Sequence, residues 1–266
     1  MTHESTLYAE SIVHLGSLTI TNSFFTSLFS LLLVIILALL IGKNIKLVPR
    51  GLQNGMEMIV EKFLALFDTV TGSRKKSLTF APLVLAFFFF ILINNWMGLL
   101  PGVGSIGKVV SEGGHNIFIP YLRGGTADLN TTLALATIGV VLSHIIGIIS
   151  LGWWKYFNKF INIKVILEIP RKIKKDPMIL LVNPIKFFVG LIEIIGELAK
   201  VASLSFRLFG NIFAGEVLLA SMSAILAFGV PIPFMFLEIL VGFIQALIFA
   251  MLILTYLTIN TSAEEH

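Results

Sequence analysis

Residues 203–216, SLSFRLFGNIFAGE, set a guanidinium at position 207 in the middle of an apolar run that extends from about residue 185 to residue 228. A run of that length and composition belongs in a bilayer, where an arginine at mid-depth costs about 2.5–3.5 kcal/mol on insertion scales. Snorkelling does not relieve Arg207. At least fifteen mostly apolar residues flank it on each side, and a helix rises only about 1.5 Å per residue, so neither interface is in reach. Something other than hydrocarbon has to compensate this charge.

Working outward, the whole chain has the composition of an integral membrane protein. It is 56% hydrophobic and 13% charged, with a mean hydropathy of +0.95, whereas soluble domains carry roughly 25% charged residues. The absence of cysteine excludes disulfides, thiol catalysis and thiolate metal sites. The net charge of +4 does not point to nucleic acid, because its basic residues lie between apolar segments, where they set orientation in the membrane.

Those segments predict an all-α integral membrane protein with about five spans and one interfacial amphipathic helix. Residues 1–23 form an outside segment and 24–42 the first span, which lacks the basic leader of a cleaved signal. Residues 43–79 form an inside linker, 80–151 the second and third spans, 152–183 a basic inside linker, 184–260 a long hairpin and 261–266 an inside tail. More than forty helical residues before the prolines at 231 and 233 would extend over about 60 Å against a hydrocarbon core of about 30 Å. The last two spans are therefore expected to form an inclined hairpin that turns at residues 229–233.

Lys43, Lys46, Arg50, Lys62, Arg74, Lys75 and Lys76 crowd the first linker, and Lys155, Lys159, Lys164, Arg171, Lys172, Lys174, Lys175 and Lys186 crowd the third. Both belong on the cytoplasmic side. The second linker has only Lys108 and Arg123 as basic residues, so the N-terminus is outside and the C-terminus inside. In the first linker, Met58, Val60, Phe63, Leu64 and Phe67 fall roughly on one face of residues 51–71, away from Glu57, Glu61 and Asp68, as in a helix lying in the interface.

One motif points nowhere. Residues 102–107, GVGSIG, match a dinucleotide fingerprint with Asp128 about twenty residues on, and through Lys108 they approach a phosphate-binding loop. A membrane span precedes them instead of a strand, and Val109 stands where a magnesium-binding hydroxyl belongs. No nucleotide site is expected.

At about 100° per residue, Lys200, Ser203 and Asn211 lie within roughly 40° of Arg207 on the fourth span. Glu193 falls near the same stripe, about 20 Å toward the inside, while Glu216 turns to the opposite side of the helix, about 13 Å nearer the outside. Two polar regions separated by an arginine fit this pattern better than a single pore. On the last span Glu238 and Gln245 share a face. Gln245 alone equally suits a polar contact between helices, whereas Glu216 and Glu238, two carboxylates at similar depth, suit sharing and passing a proton.

Residues 203–216, followed by a proline-containing turn and a glutamine-containing helix that ends in SAEEH, resemble subunit a of the F-type rotary ATP synthase. Residues 81–102, APLVLAFFFFILINNWMGLLPG, and 126–136, TADLNTTLALA, extend the resemblance from about residue 80 to the C-terminus. The resemblance implies that Arg207 faces the essential carboxylate of a rotating c-subunit ring, with Asn211 and Gln245 beside it. It places Glu216, Glu238, Asn95 and Asp128 along an outer half-channel and Glu193 and Lys200 along an inner one. Glu238 falls where some members carry histidine. The implied activity is proton translocation coupled to ATP synthesis, with no covalent step, cofactor or metal. The implied partners are the c-ring, subunit b of the peripheral stalk, the remaining synthase subunits, lipid and protons. The implied location is a bacterial plasma (inner) membrane rather than an organellar one.

Two points stand apart. The basic insert 155–186 is longer than in the family and suits orientation or contact with the peripheral stalk. A symmetric turn at 229–233 would set Gln245 opposite Glu216, whereas the family pairs that glutamine with the arginine; an extended, partly non-helical turn would reconcile them. The alternative to a synthase subunit is a stand-alone transporter or channel with Arg207 at its substrate or ion site, but the inverted repeats common in such proteins are not visible in the sequence.

Overall fold

A computed structural model describes residues 9–15, 18–43, 45–100, 102–104, 106–112, 115–161, 179–226 and 229–262. Most of the basic insert, residues 162–178, and the tail 263–266 lie outside the described residues, as do Pro101 and Ser105 of the glycine-rich loop. The protein is mostly helical, and five helices are long and apolar enough to cross a membrane.

The first of them, α1 (Asn22–Gly42), starts where the Thr21 hydroxyl accepts a hydrogen bond from the Phe24 amide at 3.3 Å. It is built inside out. Its buried residues are Asn22, Ser23, Thr26 and Ser30, while Phe24, Phe25, Leu28, Leu32, Ile36 and Leu39 are exposed. Hydrocarbon exerts no hydrophobic drive between helices, so small and polar residues make the contact and the large apolar ones face lipid. Ser27 and Ser30 each donate to the Asn94 Oδ1 at 3.3 Å, tying α1 to the third helix.

The second helix, α2 (Leu52–Thr71), ends at Gly72, whose φ of 64° is the left-handed cap that glycine adopts without strain. Leu64 and Phe67 are buried and Val60 and Phe63 pack against the core. Met58, expected on that face, is instead exposed; six residues from Leu64 carries it well off the stripe. The third helix, α3 (Arg74–Met97), begins with the three basic residues 74–76 already in its first turn. Helices α4 (Leu129–Leu151) and α5 (Trp153–Ile161) follow, then α6 (Ile179–Ile225) and α7 (Pro231–Thr261).

Two antiparallel hairpins interrupt the helices: β1 (Ser11–Leu15) with β2 (Leu18–Thr21), and β3 (Gly107–Glu112) with β4 (His115–Pro120). Lys108 Nζ joins them by donating to the Ile12 carbonyl at 2.8 Å. Gly107, the last glycine of the dinucleotide-like motif, starts a hairpin strand and not a βαβ unit, so the phosphate-binding context is absent among the described residues.

The core lies where α3, α4 and α7 meet, around Ile91, Ala136, Phe249, Ala250, Ile253 and Leu254. Gly139 on α4 allows close packing there, since a Cβ at that position would push against the end of the Ile253 side chain. Helix α6, 47 residues long and thus about 70 Å, runs alongside.

The turn between the last two helices lies earlier than the sequence suggests. Pro231 and Pro233 stand in the first turn of α7, where a missing N–H costs nothing because first-turn amides have no helical acceptor. The connection therefore falls between Ile225 and Pro231. Two contacts fix the resulting register: Gly215 packs on the Glu238 carboxyl, and Lys200 Nζ stands 5.1 Å from the Tyr256 ring centroid. Eight residues back from Gly215 is Arg207, and eight on from Glu238 is Ala246. Gln245 is therefore within a turn of the arginine's level, with α6 helical throughout.

Candidate functional site

The polar residues inside this bundle gather at its two ends. At one end, α3 finishes, α4 begins, and the loop before α4 crosses α6. Arg123 in that loop is 5% exposed. Its Nε donates to both carboxylate oxygens of Glu216, at 3.0 and 3.2 Å, and its second amino nitrogen donates to Oε2 at 3.0 Å. The fork of a guanidinium matches a carboxylate in this way, which fixes geometry as well as charge. Its backbone amide donates to Thr26 on α1.

Beside the ion pair lies a cavity of about 730 Å³ walled by Asn95, Arg123, Glu216, Ser223, Met235 and Glu238, among others. Glu238 is 7% exposed and has no hydrogen-bond partner among the described residues; its carboxyl packs on Gly215 and forms part of the cavity wall. A buried carboxyl without a protein donor requires water or a proton of its own. The space in front of it provides for the first.

Asn95 is fully engaged: its amide donates to the Gly242 carbonyl at 2.9 Å and its oxygen accepts from Thr126 at 2.6 Å, so it ties α3 to α7 and to the turn at Gly125–Ala127. Asp128 does not line the cavity. It is the N-cap of α4, accepting from the Asn130 amide at 3.2 Å, and it also accepts from Ser23 of α1 at 3.1 Å. Both residues anchor the cavity's frame.

At the opposite end, a second cluster bridges four helices. Glu197 on α6 meets Lys200 Nζ at 2.7 Å through one oxygen and His144 Nε2 of α4 at 3.3 Å through the other. The second ring nitrogen of His144 is hydrogen-bonded to the Tyr156 hydroxyl on α5. Burial, and then the charges of Glu197 and Glu193, push the Tyr156 phenol upward, so it keeps its proton. Lys200 covers the Tyr256 ring of α7. Asn260 donates to Ser143 at 3.0 Å, and Gly147 leaves just enough room for Asn260 and Tyr156.

Arg207 lies between the two ends and belongs to neither. It is exposed, as are Ser203, Gly210, Asn211 and Ala214, a strip of small and polar residues along one side of α6. Among the described residues no carboxylate is within ion-pairing distance of Arg207. Gln245 on α7 is half-buried at a similar level.

Five residues of these two clusters escape inspection of the sequence: Arg123, His144, Tyr156, Glu197 and Tyr256. Glu197 did carry a signal, since it stands four residues after Glu193 and three before Lys200, a spacing at which helical side chains pair. Arg123 was legible only as an orienting charge in a loop.

The chain matches the model of a family described as ATP synthase A chain over residues 24–258. It is 36% identical over 233 residues to an ATP synthase subunit a of Geotalea uraniireducens, covering 88% of this chain and 83% of that protein. It is 33% identical over 237 residues to an ATP synthase subunit a of Campylobacter jejuni, covering 88% and 87%. Apolar helices in this number and relatives from bacteria describe a multi-pass bacterial membrane protein, and a match of this extent means that the chain belongs to the ATP synthase A chain family.

Proposed function

We propose that this protein is the stator subunit of an ATP synthase membrane sector and carries protons to and from a rotating c-ring through two half-channels. The observation that carries the proposal is Arg207: a permanent charge in the middle of a membrane helix, exposed on a strip of small and polar residues, with no carboxylate within ion-pairing distance among the described residues. Hydrocarbon cannot cover such a strip. Small residues let another helix approach closely, and a carboxylate on that helix would supply the missing charge.

The excess of Lys and Arg in the first and third linkers puts the His144 end inside and the Asn95 end outside. Protons then enter from outside through the cavity beside Glu216 and Glu238 and protonate a ring carboxylate, which in neutral form rotates into lipid. After nearly a full turn the carboxylate meets the inner end near Glu193 and Lys200 and releases its proton. Arg207, flanked by Asn211 and Gln245, favours the ionised carboxylate beside it and separates the half-channels. Asn95 and Asp128 hold the outer frame. Each charge that crosses releases about 2.3 kcal/mol per 100 mV, so several are spent per ATP.

Replacing Arg207 with Ala in the assembled complex, reconstituted in sealed vesicles, tests this. ATP-driven acidification is lost while the complex stays intact, and passive proton leak is at or above the wild-type level. Surviving acidification would return the protein to the transporter class.

A further inference from the structure

Glu197, His144 and Tyr156 are absent from the motif residues that point to translocation, yet they form one connected polar group across three helices. We infer that His144 and Glu197 are the proton-exchange pair of the inner half-channel, with Lys200 and Tyr156 as the residues that position them. The inference rests on the two-half-channel function above and adds residues to its inner end.

The geometry is that of a shared proton. A carboxylate can only accept, so the His144 Nε2 facing Glu197 at 3.3 Å is the nitrogen across which a proton passes between ring and carboxyl. Water delivers one proton to the pair: either an N–H bond forms on the imidazole, leaving an imidazolium beside a carboxylate, or an O–H bond forms on Glu197 beside a neutral ring. The two forms interconvert by breaking the N–H and making the O–H, and release to water reverses the uptake. No other reactant is needed.

Each partner is held in place. Lys200 fixes the other oxygen of Glu197 at 2.7 Å, and Tyr156, which stays a phenol, holds the other ring nitrogen. The charged and titratable groups packed around the pair are Tyr156 from α5, Glu193 and Lys200 from α6, and Tyr256 from α7. The side chains of His144 and Glu197 are 24% and 13% exposed, so neither is sealed inside the bundle. Imidazole is the one side chain whose unperturbed titration lies between about pH 5 and 8, which suits exchange with a cytoplasm near neutrality.

The test is passive proton conduction through the membrane sector in vesicles stripped of its ATPase head, measured from pH 5.5 to about 8.5. His144→Gln lowers conduction roughly tenfold and removes the pH break that the imidazole imposes. His144→Ala is likewise slow and regains conduction when millimolar imidazole is added, a rescue that a purely structural histidine would not permit. Glu197→Gln, which keeps the Lys200 side of the cluster but cannot hold a proton, gives the same loss. Tyr156→Phe slows conduction several-fold and retains the pH break, because the imidazole is displaced but still present. Wild-type conduction and pH profile in His144→Gln, or full conduction in Glu197→Gln, overturns the inference. Arg207→Ala in the intact complex, with the ATPase head attached, separates the two claims. If it abolishes ATP-driven pumping while the His144 and Glu197 variants behave as wild type, only this pair is wrong; if pumping survives it, the half-channel function itself fails.

Discussion

The two polar ends of the bundle meet the same physical demand in opposite ways. Charged groups withdrawn from water must be paired, hydrated or neutral. The Asn95 end satisfies this with one forked ion pair, one hydrogen-bonded N-cap, Asp128, and one carboxyl, Glu238, that faces a cavity of about 730 Å³. The His144 end satisfies it with contacts, each group touching the next from Tyr156 through His144 and Glu197 to Lys200. A cavity lets a proton travel in water and requires little of the protein beyond a carboxyl at its end. A contact chain requires side chains at fixed positions, and therefore three helices in register. The Asn95 end should tolerate changes of volume but not the loss of its ion pair, while the His144 end should tolerate neither a change of volume nor the loss of a member of its chain.

The largest expected effect is at the outer ion pair. Arg123→Ala leaves the Glu216 carboxylate without its forked donor, a loss of about 3 kcal/mol, at the low end of the range for breaking a buried pair. The yield of assembled complex and its thermal dissociation midpoint both fall. Replacing both partners at once, Arg123→Met with Glu216→Leu, restores most of that stability, because two apolar side chains of similar volume leave no uncompensated charge, yet it does not restore pumping. If the double variant is as unstable as the single one, the pair contributes to the frame of the loop rather than through charge, and the contrast between the ends weakens.

Next comes Glu238. Glu238→Gln keeps the shape of the cavity wall and removes the titratable group, so ATP-driven acidification falls about tenfold, equivalent to about 1.4 kcal/mol, with assembly unchanged. Glu238→His restores part of the rate, since an imidazole at that depth also carries a proton. A full rate in Glu238→Gln would assign the outer proton step to Glu216 alone.

How much of this could be read from the chain follows from what each feature depends on. The five spans depend on length and apolarity, which are local, and the exposed arginine depends on its own flanks; both are legible. The turn was misplaced because proline breaks a helix everywhere except in its first turn, and Pro231 and Pro233 occupy that exception. Moving the turn shifts the register and brings Gln245 to the level of Arg207 without an unwound segment. The β-hairpins hide because six alternating residues are too short a signal beside twenty apolar ones. Arg123 and Glu216 are 93 residues apart, and nothing local in a loop arginine names its partner. Asp128 carried its own explanation, an acidic residue just before an apolar helix being an N-cap as readily as a channel residue. His144 is the single titratable residue within an apolar span, and its meaning comes from α5 and α6.

A smaller effect probes the packing that holds both ends in register. Gly139→Ala pushes a methyl group into Ile253 at the contact of α4 with α7, an overpacking cost of about 1 kcal/mol. It touches neither polar cluster directly. Stability falls, while the inner end, which relies on α4 to present His144, loses conduction more than the outer end loses pumping-linked proton entry. Equal loss at both ends would mean that the contact chain is no more demanding of geometry than the cavity.

The smallest effect comes from a third ion pair that belongs to neither end. Asp68 and Arg74 meet at 2.9 Å at the corner of α2 and α3, with their side chains 33% and 49% exposed. The Ser77 hydroxyl and then the Arg74 guanidinium hold the Asp68 carboxyl below its ordinary value of 3.8. A carboxyl lowered by folding stabilises the protein at pH values above its unfolded value and ceases to do so as the pH falls through the lower, folded one. Asp68→Asn therefore lowers the thermal midpoint by at most about one degree at pH 7, as expected for an exposed pair, and the difference from wild type stays constant down to about pH 5. Below about pH 4 the two curves converge. The buried Arg123–Glu216 pair and this exposed one have nearly equal lengths, 3.0 and 2.9 Å, so a loss in Asp68→Asn as large as that in Arg123→Ala would show that burial is not what distinguishes them.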